Sequence, residues 1–265
     1  MSGNNVFPCP GYTSLLSVSD GCLHYIVWIV SATLAKKPFR LDSIDVCSLV
    51  YGNVGNLMLP LVNMMFGSEY VFYVSSLQIP FNLFVWTHGQ TAISAHQGIK
   101  QSINIKKILL NPNMIALITG LIFCALQIRI PTVIDTAMEG LSGMVGPCSM
   151  LVVGMVIAGH DLKSVFTTKK AYLISFGRLV IMPSIALLIY LISGIFDRSP
   201  EMLPVLSVLF IAFCAPPAAT VSQLAVLYDN KPYEASIYNV LSMIACVFTM
   251  PLMLSIFQLV FGSAA

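Results

Sequence analysis

Apolar residues run along this chain in blocks of about 20 or more, separated by short polar connections, which is the pattern of helices that cross a bilayer. Eight such blocks stand out, at about 16 to 35, 44 to 66, 70 to 94, 107 to 129, 133 to 160, 171 to 196, 202 to 228 and 235 to 261. Several exceed what the hydrocarbon requires, leaving room for tilt or for a break. Two blocks are interrupted. Tyr51-Gly-Asn-Val-Gly-Asn-Leu-Met-Leu-Pro60 puts two glycines, two asparagines and a proline into the second, and Cys214-Ala-Pro-Pro-Ala-Ala-Thr220 breaks the seventh. An unpaired backbone group in hydrocarbon costs several kcal/mol, so such segments persist only where the freed groups face a cavity, a neighbouring helix or a ligand. Paired breaks in corresponding parts of two halves predict the binding site of a secondary transporter. Gly140, Gly143, Gly146 and Pro147 predict a bend in the fifth block.

Composition agrees with the bilayer. The chain is 57% hydrophobic and 9% charged, with mean hydropathy +0.86, whereas about a quarter of a soluble domain is charged. A net charge of +2, with the basic residues dispersed, excludes the basic patch of a nucleic-acid-binding protein. The seven cysteines, Cys9, Cys22, Cys47, Cys124, Cys148, Cys214 and Cys246, include no CxxC pair and read as small apolar fillers. No linker separates soluble domains, so residues 1–265 form one membrane domain.

Basic residues set the topology. Lys36, Lys37, Arg40, Lys100, Lys106, Lys107, Lys163, Lys169, Lys170 and Lys231 fall in alternate loops, ten of thirteen, while Arg129 and Arg198 fall opposite. The positive-inside rule makes the ten-residue face cytoplasmic and puts both termini outside. Arg178, near the start of the sixth block, reads as a side chain reaching for the interface. Inverted-repeat transporters join two units of odd helix number. Blocks four to eight, about 107 to 262, make one five-helix unit. Pro60 and Pro216 lie 156 residues apart, so a matching first unit would start about 49 residues before Met1. Residues 16–94 are then the remainder of a repeat whose first two helices are absent from this chain.

The residues resemble the auxin efflux carrier family of membrane transporters, including its bacterial malate and malonate permease-like members. The resemblance rests on Tyr51-Gly52-Asn53-Val54-Gly55-Asn56 with Pro60 and Leu61, on Phe81-Asn82-Leu83 with Trp86-Thr87-His88-Gly89, on Gly146-Pro147 with Met150 and Val153-Gly154-Met155, and on Ala215-Pro216-Pro217-Ala218. It covers the chain from about residue 22 to the end. It implies an all-α fold of ten helices in two inverted five-helix repeats, of which about eight are present here, with two broken helices crossing in a transport subdomain. The function implied is a secondary carrier for a small organic anion such as a carboxylate, in the cell membrane, and compatible with a homo-oligomer.

The candidate substrate-binding residues are Gly52, Asn53, Gly55, Asn56, Pro60, Pro216, Pro217, Thr220 and Gln223. A broken helix exposes N–H groups at one half and carbonyls at the other, and so holds an anion and a proton or cation without formal charges. The glycines permit torsions closed to other residues, the asparagines supply amide donors and acceptors, and the prolines free carbonyls. The competing reading makes Asn53 and Asn56 helix glue and the prolines simple kinks. Asn63, Asn82 and Asn239 read as packing residues, Asp45 as a helix N-terminal charge, and Asp135 with Glu139 as a solvated rim beside Arg129. His88, His96 and His160 fall at or beyond helix ends, which predicts no metal site. With neither HExxH nor Gly-x-Ser-x-Gly, enzymatic chemistry is not indicated, and no nucleotide-binding loop or cofactor motif is present. A proton is the expected coupling ion. The alternative is a truncated membrane protein that does not transport.

Overall fold

With no water at membrane depth, the backbone must pair with itself, and it does so almost wholly as helix. The computed structural model describes residues 10–95, 110, 112–125, 128, 130–158, 163–193 and 203–262. Lys100, Lys106, Lys107, Arg129, Arg198, His96, His160 and Cys9, on which some sequence expectations rest, lie outside the described residues.

Helix α1 spans Pro10–Phe39, and the second block divides into α2 (Ser43–Val50), a π-helical turn Val54–Met58 and α3 (Leu59–Phe66). The third block is α4 (Ser68–Ser76), α5 (Gln78–Phe84), a π turn Val85–Gly89 and α6 (Gln90–Ser94). Next come α7 (Pro112–Ala125), α8 (Thr132–Ala158), the short α9 (Lys163–Thr167), α10 (Lys169–Phe176), a π turn Gly177–Ile181 and α11 (Met182–Ser193). The chain closes with α12 (Leu203–Phe213), α13 (Ala219–Leu227) and α14 (Pro232–Phe261). Three stretches among the described residues are long and apolar enough to cross a membrane: Ser17–Phe39, Lys169–Ser193 and Pro232–Phe261; Val54–Phe66 and Leu203–Phe213 are shorter apolar helices. In the fifth block α8 is continuous from Thr132 to Ala158, with Gly140, Gly143, Gly146 and Pro147 all inside it. A single proline removes one hydrogen bond, which its neighbours in a long apolar helix can carry.

Two of the π turns have a local cause. A proline ring clashes with the carbonyl four residues earlier. Those carbonyls belong to Asn56, ahead of Pro60, and Leu179, ahead of Pro183, and each lies in a π turn whose extra residue widens the helix there.

The core forms where α1 packs on α2, α4 and α5, α12 on α4 and α11, and α14 on α8, α10 and α13. Trp28, Tyr25, Tyr51, Phe213, Phe210 and Phe257 are buried there, while Val247, Phe248, Leu252 and Leu259 of α14 and Val133, Leu141 and Leu151 of α8 stand exposed. Exposed apolar faces of this kind suit contact with lipid.

At one end of the helices the connections are pinned by charge. The Asp45 side chain accepts the Asp42 N–H at 2.5 Å, so Asp45 is the helix N-terminal charge expected. It is also fully buried, 2.6 Å from Lys170 Nζ, and accepts from the Tyr238 hydroxyl at 2.9 Å. Asp42 pairs with Lys170 at 3.2 Å and with Lys231 at 2.5 Å. Three of the basic loops thus meet at one end.

Two outcomes follow. Replacing Lys170 by Ala strands the buried Asp45 carboxylate and should cost about 1 to 3 kcal/mol, between the values for exposed and buried pairs, read as a lower thermal unfolding midpoint of purified protein. The hydrogen bond from Lys231, aided by Lys170, holds the Asp42 carboxyl below its usual value, and the cation partner Lys231 is raised above its own by Asp42. The Asp42 contribution is therefore present above the ordinary carboxylate value and lost as pH falls through the lowered one. In Asp42→Asn, unfolding midpoints measured from neutral to acid pH should fall less steeply than in the wild type.

Candidate functional site

The two interruptions cross. Tyr51 to Asn53 and Pro216 to Ala218 run antiparallel, with an isolated bridge pairing Gly52 and Pro217. The Asn53 N–H donates to the Pro216 carbonyl at 2.8 Å and the Ala218 N–H to the Tyr51 carbonyl at 2.9 Å. Each broken segment thereby satisfies part of the other. The Asn239 Nδ2 donates to the Pro217 carbonyl at 2.8 Å, so Asn239 is a structural residue, as expected, though one dedicated to the break.

The remaining carbonyls are claimed by Arg178. Its Nε donates to Ala215 O at 2.8 Å, Nη1 to Leu49 O and Val50 O at 3.0 Å each, and Nη2 to Phe213 O at 3.5 Å. The guanidinium lies over the Trp28 ring, 4.9 Å from its centroid, a cation–π contact, and the Trp28 Nε1–H donates to Met182 O at 3.1 Å. Arg178 is fully buried, so the expectation of an interfacial side chain is corrected. It is the tenth residue of the Lys169–Ser193 stretch, about 14 Å deep at 1.5 Å per residue, near the middle of a core about 30 Å thick. Sequence reasoning missed it because its acceptors are carbonyls, which carry no residue identity. The available signal was a lone arginine in an apolar run with no acid at helical spacing.

Arg178 also explains Gly52. A methyl group there would collide with the guanidinium, and one on Gly55 would collide with the Gln78 amide. Neither glycine has positive φ; among the described glycines only Gly67 does, at 98°. The glycines serve close approach here, not the unusual torsions expected of them. Tyr51, buried behind the break, donates its hydroxyl to Phe84 O at 2.9 Å and lies 2.9 Å from His88 Nδ1. His88 is thus half-buried inside a π turn instead of at a helix end, and burial lets its ring pack against the break.

A cavity of about 390 Å³ opens on the other side of Gly52. Of the candidate substrate-binding residues, Gly52, Asn53, Gly55, Asn56, Thr220 and Gln223 line it together, and so do Gln78, Phe81, Asn82, Trp86, Ala218, Leu224 and Leu227. Asn82, read as packing, faces this cavity, although its Nδ2 donates to Gln78 O at 2.8 Å. Pro60, Pro216 and Pro217 do not line it. Pro60 is exposed on α3, and the carbonyls of the other two are occupied by Asn53 and Asn239. Asn53 is 4% exposed and its Nδ2 has no hydrogen-bond partner, a buried donor of the kind that proteins seldom leave unpaired. The cavity meets the N-terminal starts of the second half-helices, at Val54 and Ala219, where dipoles favour negative charge.

Helices broken in pairs, crossing at membrane depth and bounding a small polar cavity, define a membrane transport protein. The chain matches the family described as membrane transport protein over residues 10–254. It belongs to that family, the auxin efflux carriers. No curated protein matches it.

The close approach is testable. Gly52→Ala should destabilise the fold by about 1 to 3 kcal/mol through overpacking, read as a lower thermal unfolding midpoint. Gly120→Ala, where the added methyl meets nothing within 4 Å, should leave the midpoint unchanged or raise it slightly.

Proposed function

We propose that this protein is a secondary carrier that binds a small organic anion, a carboxylate, in the cavity beside the crossing. The observation that carries this reading is Arg178. It is a fully buried cation, and among the described residues no carboxylate lies within ion-pair distance of it. An uncompensated charge at that depth is costly, and an anion in the adjoining cavity supplies the missing countercharge. Asn53, with its unpaired Nδ2, faces the carboxylate, Asn56, Thr220 and Gln223 add polar contacts, and Phe81, Trp86, Leu224 and Leu227 receive the carbon skeleton. Eight spans in the cell membrane, two inverted repeats and a cytoplasmic face at Lys36, Lys170 and Lys231 complete the proposal. A proton suits coupling better than a metal ion, since among the described residues no carboxylate lines the cavity.

Removing an amide at the cavity should lose about 1 to 3 kcal/mol per hydrogen bond, or roughly 5- to 150-fold in affinity. The measurement is binding of radiolabelled malonate to purified protein in nanodiscs, with uptake into proteoliposomes alongside. Asn53→Ala and Asn56→Ala should weaken binding by that factor with the fold retained, whereas Asn63→Ala, exposed on α3, should not. Unchanged affinity in both cavity variants would remove the assignment.

A further inference from the structure

The acceptors of Arg178 come from two places that are far apart in sequence and equivalent in geometry. Leu49 and Val50 end α2, while Phe213 and Ala215 end α12 and begin the second break. Both ends are carbonyl termini of half-helices, where dipoles favour a cation. In broken-helix carriers these unwound carbonyls are the groups that coordinate a coupling ion. Here the guanidinium already fills the position, and its flat five-donor fork lets one group serve both helices.

We propose that Arg178 acts as a tethered cation: it stands in the place of a diffusible metal ion at the paired carbonyl ends and supplies the fixed positive charge that retains an anion across Gly52. This rests on the anion-carrier reading above. Arg178 is a positioning residue, because Gly52 lies between it and the cavity and the cavity lining does not include it. The absence of a side chain on Gly52 is what brings the charge close, since any larger residue would push the guanidinium back. A charge bonded to the protein cannot leave with the substrate, so the site remains positive whichever side it opens to.

The test compares radiolabelled malonate with malonamide, its uncharged counterpart on the same skeleton, as ligand and competitor for the full chain in nanodiscs. It is run in sodium chloride and in choline chloride of equal ionic strength. Wild type should prefer malonate, equally in both salts. Arg178→Gln keeps hydrogen-bond donors and loses the charge; malonate affinity should fall by about 10- to 100-fold, the scale of one charge a few ångströms away at intermediate dielectric. Malonamide affinity should change by less than about twofold, a difference that a merely structural role would not produce. Arg178→Lys should retain most of the preference. If Arg178→Gln fails to fold, the salt exchange on wild type and the Lys variant decide the matter. Malonate binding by wild type that requires sodium, loss of the preference in a folded Lys variant, or an undiminished preference in folded Arg178→Gln would each overturn the proposal while leaving the carrier reading intact. A wild type indifferent to malonate and malonamide, together with an Asn53→Ala variant that binds as wild type does, would overturn both.

Discussion

The contact on which the rest of the structure depends is that between one guanidinium and the carbonyl ends of two broken helices. Without it, Leu49, Val50 and Ala215 would present buried acceptors with no donor near them, at a cost of about 1 to 3 kcal/mol apiece. The bridge between Gly52 and Pro217 pairs the N–H groups of Asn53 and Ala218 with the Pro216 and Tyr51 carbonyls, and leaves the carbonyls of Leu49, Val50 and Ala215 to another donor. Arg178 collects those carbonyls. Gly52 follows from its presence, and Trp28 covers its face. The cavity then lies on the opposite side of the breaks from Arg178, at the N-terminal starts of the second half-helices.

The two breaks were legible because their signal is local: glycine, asparagine and proline inside an apolar run mean the same thing wherever the partner segment lies. That they cross was inferred from their pairing in the sequence, and the bridge places them together. The amide residues at the cavity were legible for the same reason, whereas Asn82 was misread because one asparagine in an apolar block looks the same whether it bonds its own helix or faces a space. Its Nδ2 does the first and the residue does the second.

What stayed hidden shares a physical cause. Arg178 binds main-chain atoms as many as 129 residues away, and no side-chain pattern records that. The glycines were identified as necessary for the wrong reason, since torsion is a property of one residue and close approach requires knowing the neighbour. Pro60, Pro216 and Pro217 carry a true signal of a break, yet a proline marks where helical bonding stops without saying which group takes up the freed carbonyl. Here Arg178 takes the Phe213 carbonyl, four residues ahead of Pro217, while Asn53 and Asn239 take the carbonyls of Pro216 and Pro217 themselves.

The ionic cluster around Asp42 has a mechanical meaning. It fastens the α1–α2 connection to the start of α10 and the start of α14, while the crossing and Arg178 fasten the same helices half a membrane away. Elements clamped at two levels along their length cannot shear past one another without breaking ion pairs at one level and buried hydrogen bonds at the other. They form a stiff block, and any motion that carries the cavity from one side of the membrane to the other must take the block as a whole, with the slip plane outside it.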